Sequence, residues 1–246
     1  MPFTSSPQTI VRALRSMSLA ALLAAAATTG AQAALVNVDF NTTTSSTFSG
    51  AALLGDVGDG WNGVAAGTLG GVASVSNRAL FDAAGNATSA LLSFTENSGA
   101  YDTAGELGCL FNSTLMCDYM YAIRKTITLT VDGLTEGDLF DLVLYSSANA
   151  PGRTSTFKLG NTTKTTVAAT GAVFTEGVNY ARFTGTVGTG GILSFDLIGG
   201  SGATEGNLNG FQLNLSPGSQ IPEPTSISLV LAALSALALK RVRRRS

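Results

Sequence analysis

The sequence predicts an all-β protein whose body is a single jelly-roll-like β-sandwich, with an apolar segment at each terminus. Three observations carry this. Short apolar–polar alternations recur from Leu35 to Leu215, with Gly, Asn and Asp clusters between them. No stretch of the body has the 3.6-residue spacing of an amphipathic helix. The long apolar runs lie only near the two ends, Met17 to Thr29 and Ser226 to Leu239.

In chain order, Leu35-Val36-Asn37-Val38-Asp39-Phe40 alternates and opens the body as a strand. Asn41 to Ser49 is a Thr/Ser turn region, and Ala51 to Leu54 is expected as a short strand. Gly55 to Gly63 is a glycine-rich loop holding the chain's single tryptophan, Trp61. Val72 to Val75 is a weak strand and Leu91 to Thr95 a stronger one. Ser98 to Asp118 reads as irregular, with a helical turn over Leu115 to Tyr121.

From Lys125 the pattern clears. Ile127, Leu129 and Val131 alternate with Thr126, Thr128 and Thr130, Asp132-Gly133 turns the chain, and Phe140, Leu142 and Leu144 alternate again. Thr154 to Leu159, Thr163 to Ala168, Val178 to Val187, Ile192 to Leu197 and Leu208 to Leu215 follow as strands. About ten short strands without a helix make a sandwich the expected outcome. The body spans 34–215, and residues 216–221 form a linker to the tail.

The N-terminus has the three parts of a secretory signal peptide. Arg12 and Arg15 supply the positive region, Met17 to Thr29 the apolar core, and Ala31-Gln32-Ala33 the small-x-small cleavage site. Residues 1–33 are expected to be removed, leaving Ala34 first.

The C-terminus is also tripartite. Ile221-Pro222-Glu223-Pro224 leads into an apolar run over 225–239, and Lys240, Arg241, Arg243, Arg244 and Arg245 close the chain. Fifteen helical residues span about 22 Å, short of the roughly 30 Å of bilayer hydrocarbon. Snorkelling arginines and local thinning suit such a helix to a transient anchor. The terminal cations favour a cytoplasmic end, with the body across the membrane. The prolines keep the strip before the helix extended.

This order of motif, short helix and basic stop resembles the PEP-CTERM sorting signal, with Pro222, Glu223 and Pro224 matching its motif residue for residue. The resemblance covers about the last 25 residues, 222–246. It implies an exosortase-type membrane enzyme as processing partner, a passing stay in the inner membrane, and a final place on the cell surface or in extracellular polysaccharide. The body resembles the jelly-roll bodies of other PEP-CTERM proteins and galactose-binding-like domains. The stretches that carry this likeness are Val131-Asp132-Gly133-Leu134, Glu176-Gly177-Val178-Asn179-Tyr180 and Leu208-Asn209-Gly210-Phe211-Gln212-Leu213.

Without its two ends the chain keeps seven Lys and Arg against fifteen Asp and Glu, a net of −8. So acidic a body is not a nucleic-acid binder. The two cysteines, Cys109 and Cys117, are expected as a disulfide in an exported chain, worth roughly 2–3 kcal/mol on the chain-entropy account. The other readings are two reduced thiols, or a metal centre, which the lack of any histidine disfavours.

That lack also removes Ser-His-Asp and Cys-His catalysis. No nucleophile elbow or phosphate loop occurs. No catalytic residue, cofactor or metal ligand is assigned. Asp56 and Asp59 are read as turn formers rather than calcium ligands. Trp61 is the one candidate ligand contact, as a platform for a sugar ring, against its commoner use in packing. The expectation is a non-enzymatic exported protein that binds or structures exopolysaccharide. The alternatives are a carboxylate-dependent glycan-active enzyme and a permanently anchored membrane protein.

Overall fold

A computed structural model describes residues 34–103, 114–148, 153–167 and 173–218. The chain is mostly β, as expected. Its strands are β1 (Ala34–Asn41), β2 (Asn62–Ala65), β3 (Val75–Phe81), β4 (Ala87–Phe94), β5 (Gly99–Asp102), β6 (Asp118–Ala122) and β7 (Thr126–Asp132). They continue as β8 (Leu139–Tyr145), β9 (Thr154–Leu159), β10 (Thr162–Val167), β11 (Tyr180–Thr186), β12 (Leu193–Ile198), β13 (Gly206–Leu208) and β14 (Gly210–Ser216).

One sheet has the order β11-β8-β14-β1-β2, a second β10-β9-β12-β7-β4-β3, and a small third β13-β6-β5. All strand pairs are antiparallel except β1 with β2. The two large sheets share one apolar core. Val36, Val38 and Phe40 of β1, Leu142 and Leu144 of β8, and Phe211 and Leu213 of β14 come from the first sheet. Leu92 and Phe94 of β4, Ile127, Leu129 and Val131 of β7, and Phe195 and Leu197 of β12 come from the second. Aromatic rings join the sheets. Phe40 meets Phe94 edge-on at 5.9 Å, and Phe211 meets Phe195 in the same way at 5.9 Å.

Ile127, Leu129 and Val131, and Phe140, Leu142 and Leu144, lie in this core, as the period of two requires. Three local expectations fail. Ala51 to Leu54 is not a strand; its N–H groups bond to side chains, Leu53 to the Tyr145 hydroxyl and Leu54 to Gln212. The strand expected over Val72 to Val75 instead begins at Val75 and runs to Phe81, past a register shift and a left-handed Asn77 (φ 52°). The stretch expected as irregular, Ser98 to Asp118, holds β5, and where a helical turn was expected over Leu115 to Tyr121 one 3-10 turn over Thr114–Met116 leads into β6.

The outer face of the five-stranded sheet is covered. Phe48, Ala52, Leu53, Leu54 and Trp61 pack over Val143 and Tyr145, together with Leu115 and Met116. The polar residues of β1, Asn37, Asp39 and Asn41, are therefore buried rather than wet. A side-chain network serves part of this face. Gln212 accepts from the Tyr145 hydroxyl at 2.5 Å and donates to Asn37 Oδ1 at 2.9 Å, while Asn37 Nδ2 donates to the Gly60 carbonyl at 3.0 Å.

Candidate functional site

Trp61 sits in the covering loop, half-buried. Its ring meets Phe48 edge-on at 5.0 Å and Tyr145 at 6.4 Å, and its Nε1 donates to the Gly50 carbonyl at 2.9 Å. One face of the indole holds the loop to the sheet, and its only donor is already used. The ring also borders a surface depression lined by Gly60, Asn62, Phe81, Asp82 and Gly85. Phe81 is 52 % exposed there, an aromatic face turned to solvent at the end of β3.

Asp82 flanks that ring. Its partial burial raises its pKa, but hydrogen bonds from the Asn86 side chain and from the backbone N–H groups of Asn86, Ala84 and Gly85 outweigh this and lower it. The depression thus carries one aromatic platform, part of a second, and a carboxylate held ionised. Sequence reasoning singled out Trp61 and passed over Phe81. The signal was there, an aromatic directly before the Asp82-Ala83-Ala84-Gly85 turn.

Asp56 and Asp59 form a turn, as expected. Asp59 Oδ2 accepts the Asp56 N–H at 2.9 Å, and Val57 at the tip is almost fully exposed. Tyr145 is buried, with its hydroxyl tied to Leu53 and Gln212; burial raises its pKa far above the usual phenol value. Tyr119 packs against Tyr101 and Tyr121. Cys117 is buried and is not a free thiol, while Cys109 lies outside the described residues. Ala31, Ala33, Pro222, Glu223, Pro224 and the run over 225–239 also lie outside them. Among the described residues no helix is long and apolar enough to cross a membrane.

A second polar centre lies at the far end of β1, and no spacing in the sequence announced it. Asp39 and Asn41 point to one face of the strand, and the loop that follows brings them Asp118, from the start of β6. Phe48 N–H donates to Asp39 Oδ2 at 2.7 Å and Thr42 N–H to Asp118 Oδ2 at 3.3 Å. Burial pushes the Asp39 carboxyl up to about 8; the Phe48 N–H opposes this and the Asp118 charge adds to it. Burial likewise raises Asp118 to about 6, against a Ser45 hydrogen bond and with the Asp102 charge. Both carboxyls are closed off from solvent, so neither can reach a glycan chain.

The fold and these two centres define an all-β protein of two facing sheets with a covered outer face. Comparison with family models, with curated proteins and with solved structures finds no match for this chain.

Proposed function

We propose that this is an exported protein, sorted through a PEP-CTERM tail, whose β body binds extracellular polysaccharide. The observation that carries the binding reading is the half-exposed Phe81 beside Trp61 and the ionised Asp82. Aromatic faces stack on the C–H faces of sugar rings, and a flanking carboxylate accepts from their hydroxyls. The sorting reading rests on Pro222-Glu223-Pro224, the apolar run and the basic stop.

A jelly-roll reading of the body is supported by strand order. In β1-β14-β8-β11 and β7-β12-β9-β10 the eight strands take the places of two four-stranded jelly-roll sheets, with β2 to β6 inserted after the first strand. A Cys109–Cys117 disulfide is part of the same proposal, and so is cleavage after Ala33. The body is then the cargo, an exosortase-type enzyme its processing partner and the inner membrane a way-station.

The test is retention of the full chain, held in mild detergent, on the producer's extracellular polysaccharide. Saturable retention of wild type, weakened about tenfold or more by Phe81→Ala, with the glycan left at full length, is the expected result (stacking is a contribution of order 1–2 kcal/mol). Shortened glycan would replace this reading with the glycan-active enzyme. No retention at all would leave a cargo without a sugar site.

A further inference from the structure

The end of β1 gathers more buried oxygen than the protein supplies with donors. Asp39, Asn41 and Asp118 are 0 %, 4 % and 1 % exposed. Asp39 Oδ1, Asn41 Oδ1 and Asp118 Oδ1 have no hydrogen-bond partner. Only two other buried side-chain atoms among the described residues share that condition, on Thr166 and Asn207, so the shortage is concentrated here. Buried acceptors left bare are costly, and buried charges left unpaired more so.

The three side chains adjoin. Asp39 and Asn41 are two apart on one face of β1, and Asn41 Nδ2 donates to Asp39 Oδ2 at 3.3 Å. The same amide reaches Thr47 Oγ1 at 3.4 Å. In each carboxylate the loop satisfies Oδ2 through a backbone N–H, from Phe48 or Thr42, and leaves Oδ1 bare. The charges that bear on the pair are both negative. Asp118 acts on Asp39, and Asp102, opposite Asp118 in the β5–β6 register, acts on Asp118. None of the salt bridges among the described residues involves Asp39 or Asp118.

We propose that Asp39, Asn41 and Asp118 bind a calcium ion, which gives three bare oxygens their partner and neutralises two buried carboxylates. The donors are all hard oxygens, a set that suits Ca²⁺ rather than a transition metal. No group of three or more His, Cys, Asp or Glu forms a metal centre among the described residues. The remaining places, of the roughly six to eight that Ca²⁺ takes, fall to hydroxyls, main-chain carbonyls and water. The ion would fasten the loop after β1 to β6, joining the small sheet to the five-stranded one. This inference does not depend on the polysaccharide reading, since the site is closed to a glycan.

The test is calorimetric titration and thermal unfolding of the full chain in mild detergent, first stripped with EDTA and then given CaCl₂. Saturable uptake of a single ion is expected, with a dissociation constant on the order of 10⁻⁴ M or tighter, and a rise of several degrees in Tm. Asp39→Asn and Asp118→Asn should each weaken uptake at least tenfold. A folded wild type with the same Tm in calcium and in EDTA, and no binding heat, overturns the proposal whether or not the variants fold. Full uptake by both folded variants also overturns it.

Discussion

Asp39 shows how one buried residue sets a pH dependence. Its carboxyl is pushed up to about 8 in the folded chain, chiefly by burial, while an unfolded Asp titrates near about 3.9. Between these values the calcium-free folded state holds a proton that the unfolded state has released. Stability from this group is therefore fully present below about pH 4 and is lost as pH rises through about 8. Asp118 faces it with like charge, and Asp102 in turn acts on Asp118. Calcium replaces the proton, so the Tm gain on adding CaCl₂ should be larger at pH 8 than at pH 5. Equal gains at both would contradict it.

Tyr145 is the corresponding neutral case. Its hydroxyl donates to Gln212 at 2.5 Å and accepts from Leu53 N–H at 2.9 Å, both under the covering loop. Tyr145→Phe should cost about 1–3 kcal/mol by chemical denaturation, since it leaves both partners short. Neither residue's role was legible in the sequence. Leu35 to Phe40 reads as a strand with one wet face, and Tyr145 as one more aromatic in a strand. What changes both is the segment from Phe48 to Trp61, which folds back over that face. Asp118 lies 76 residues from Thr42, whose N–H it accepts, so nothing local ties it to β1.

At the scale of elements, the strands with strict alternation were the most legible, β9 and β10 were also read, and β2, β5 and β6 were not. The β7 and β8 patterns put Ile127, Leu129, Val131, Phe140, Leu142 and Leu144 in the core because one face of each strand must be buried. The turn between them is held by Gly133 at φ +74°, where an added Cβ would lie against the Ser89 carbonyl. Gly133→Ala should therefore destabilise by more than about 1 kcal/mol, and Leu129→Ala by about 2–5 kcal/mol, in urea titrations with unchanged slope. β3 escaped detection because Ser76-Asn77-Arg78 exposes every side chain and its pairing with β4 is irregular.

The covering loop separates two roles that the sequence left merged in Trp61. Trp61→Ala should cost about 2–3 kcal/mol of stability, less than a fully buried aromatic, because the ring is half-exposed and holds the loop to Tyr145. Phe81→Ala should leave the Tm almost unchanged and act on glycan retention alone. A Phe81 variant that melts several degrees lower while retaining glycan fully would reverse the assignment.

On the scale of the whole molecule, the sequence divides its information unevenly. The body's fold class follows from turn-separated alternations, while the proposed address rests on two terminal segments patterned as an export signal and a sorting tail. The proposed sugar and calcium sites are not encoded in any motif, because their residues are brought together only by folding. We propose that the acidic β body is delivered outside the cell and freed from its tail. The direct measurement is the intact mass, with both terminal sequences, of the protein recovered from its producing cells. The expected chain begins at Ala34 and has lost the basic stop and apolar run after Pro222-Glu223-Pro224, whereas a Pro222→Ala, Glu223→Ala variant keeps both. A mature wild-type chain that still ends at Ser246 would contradict it and make the protein a permanent membrane resident.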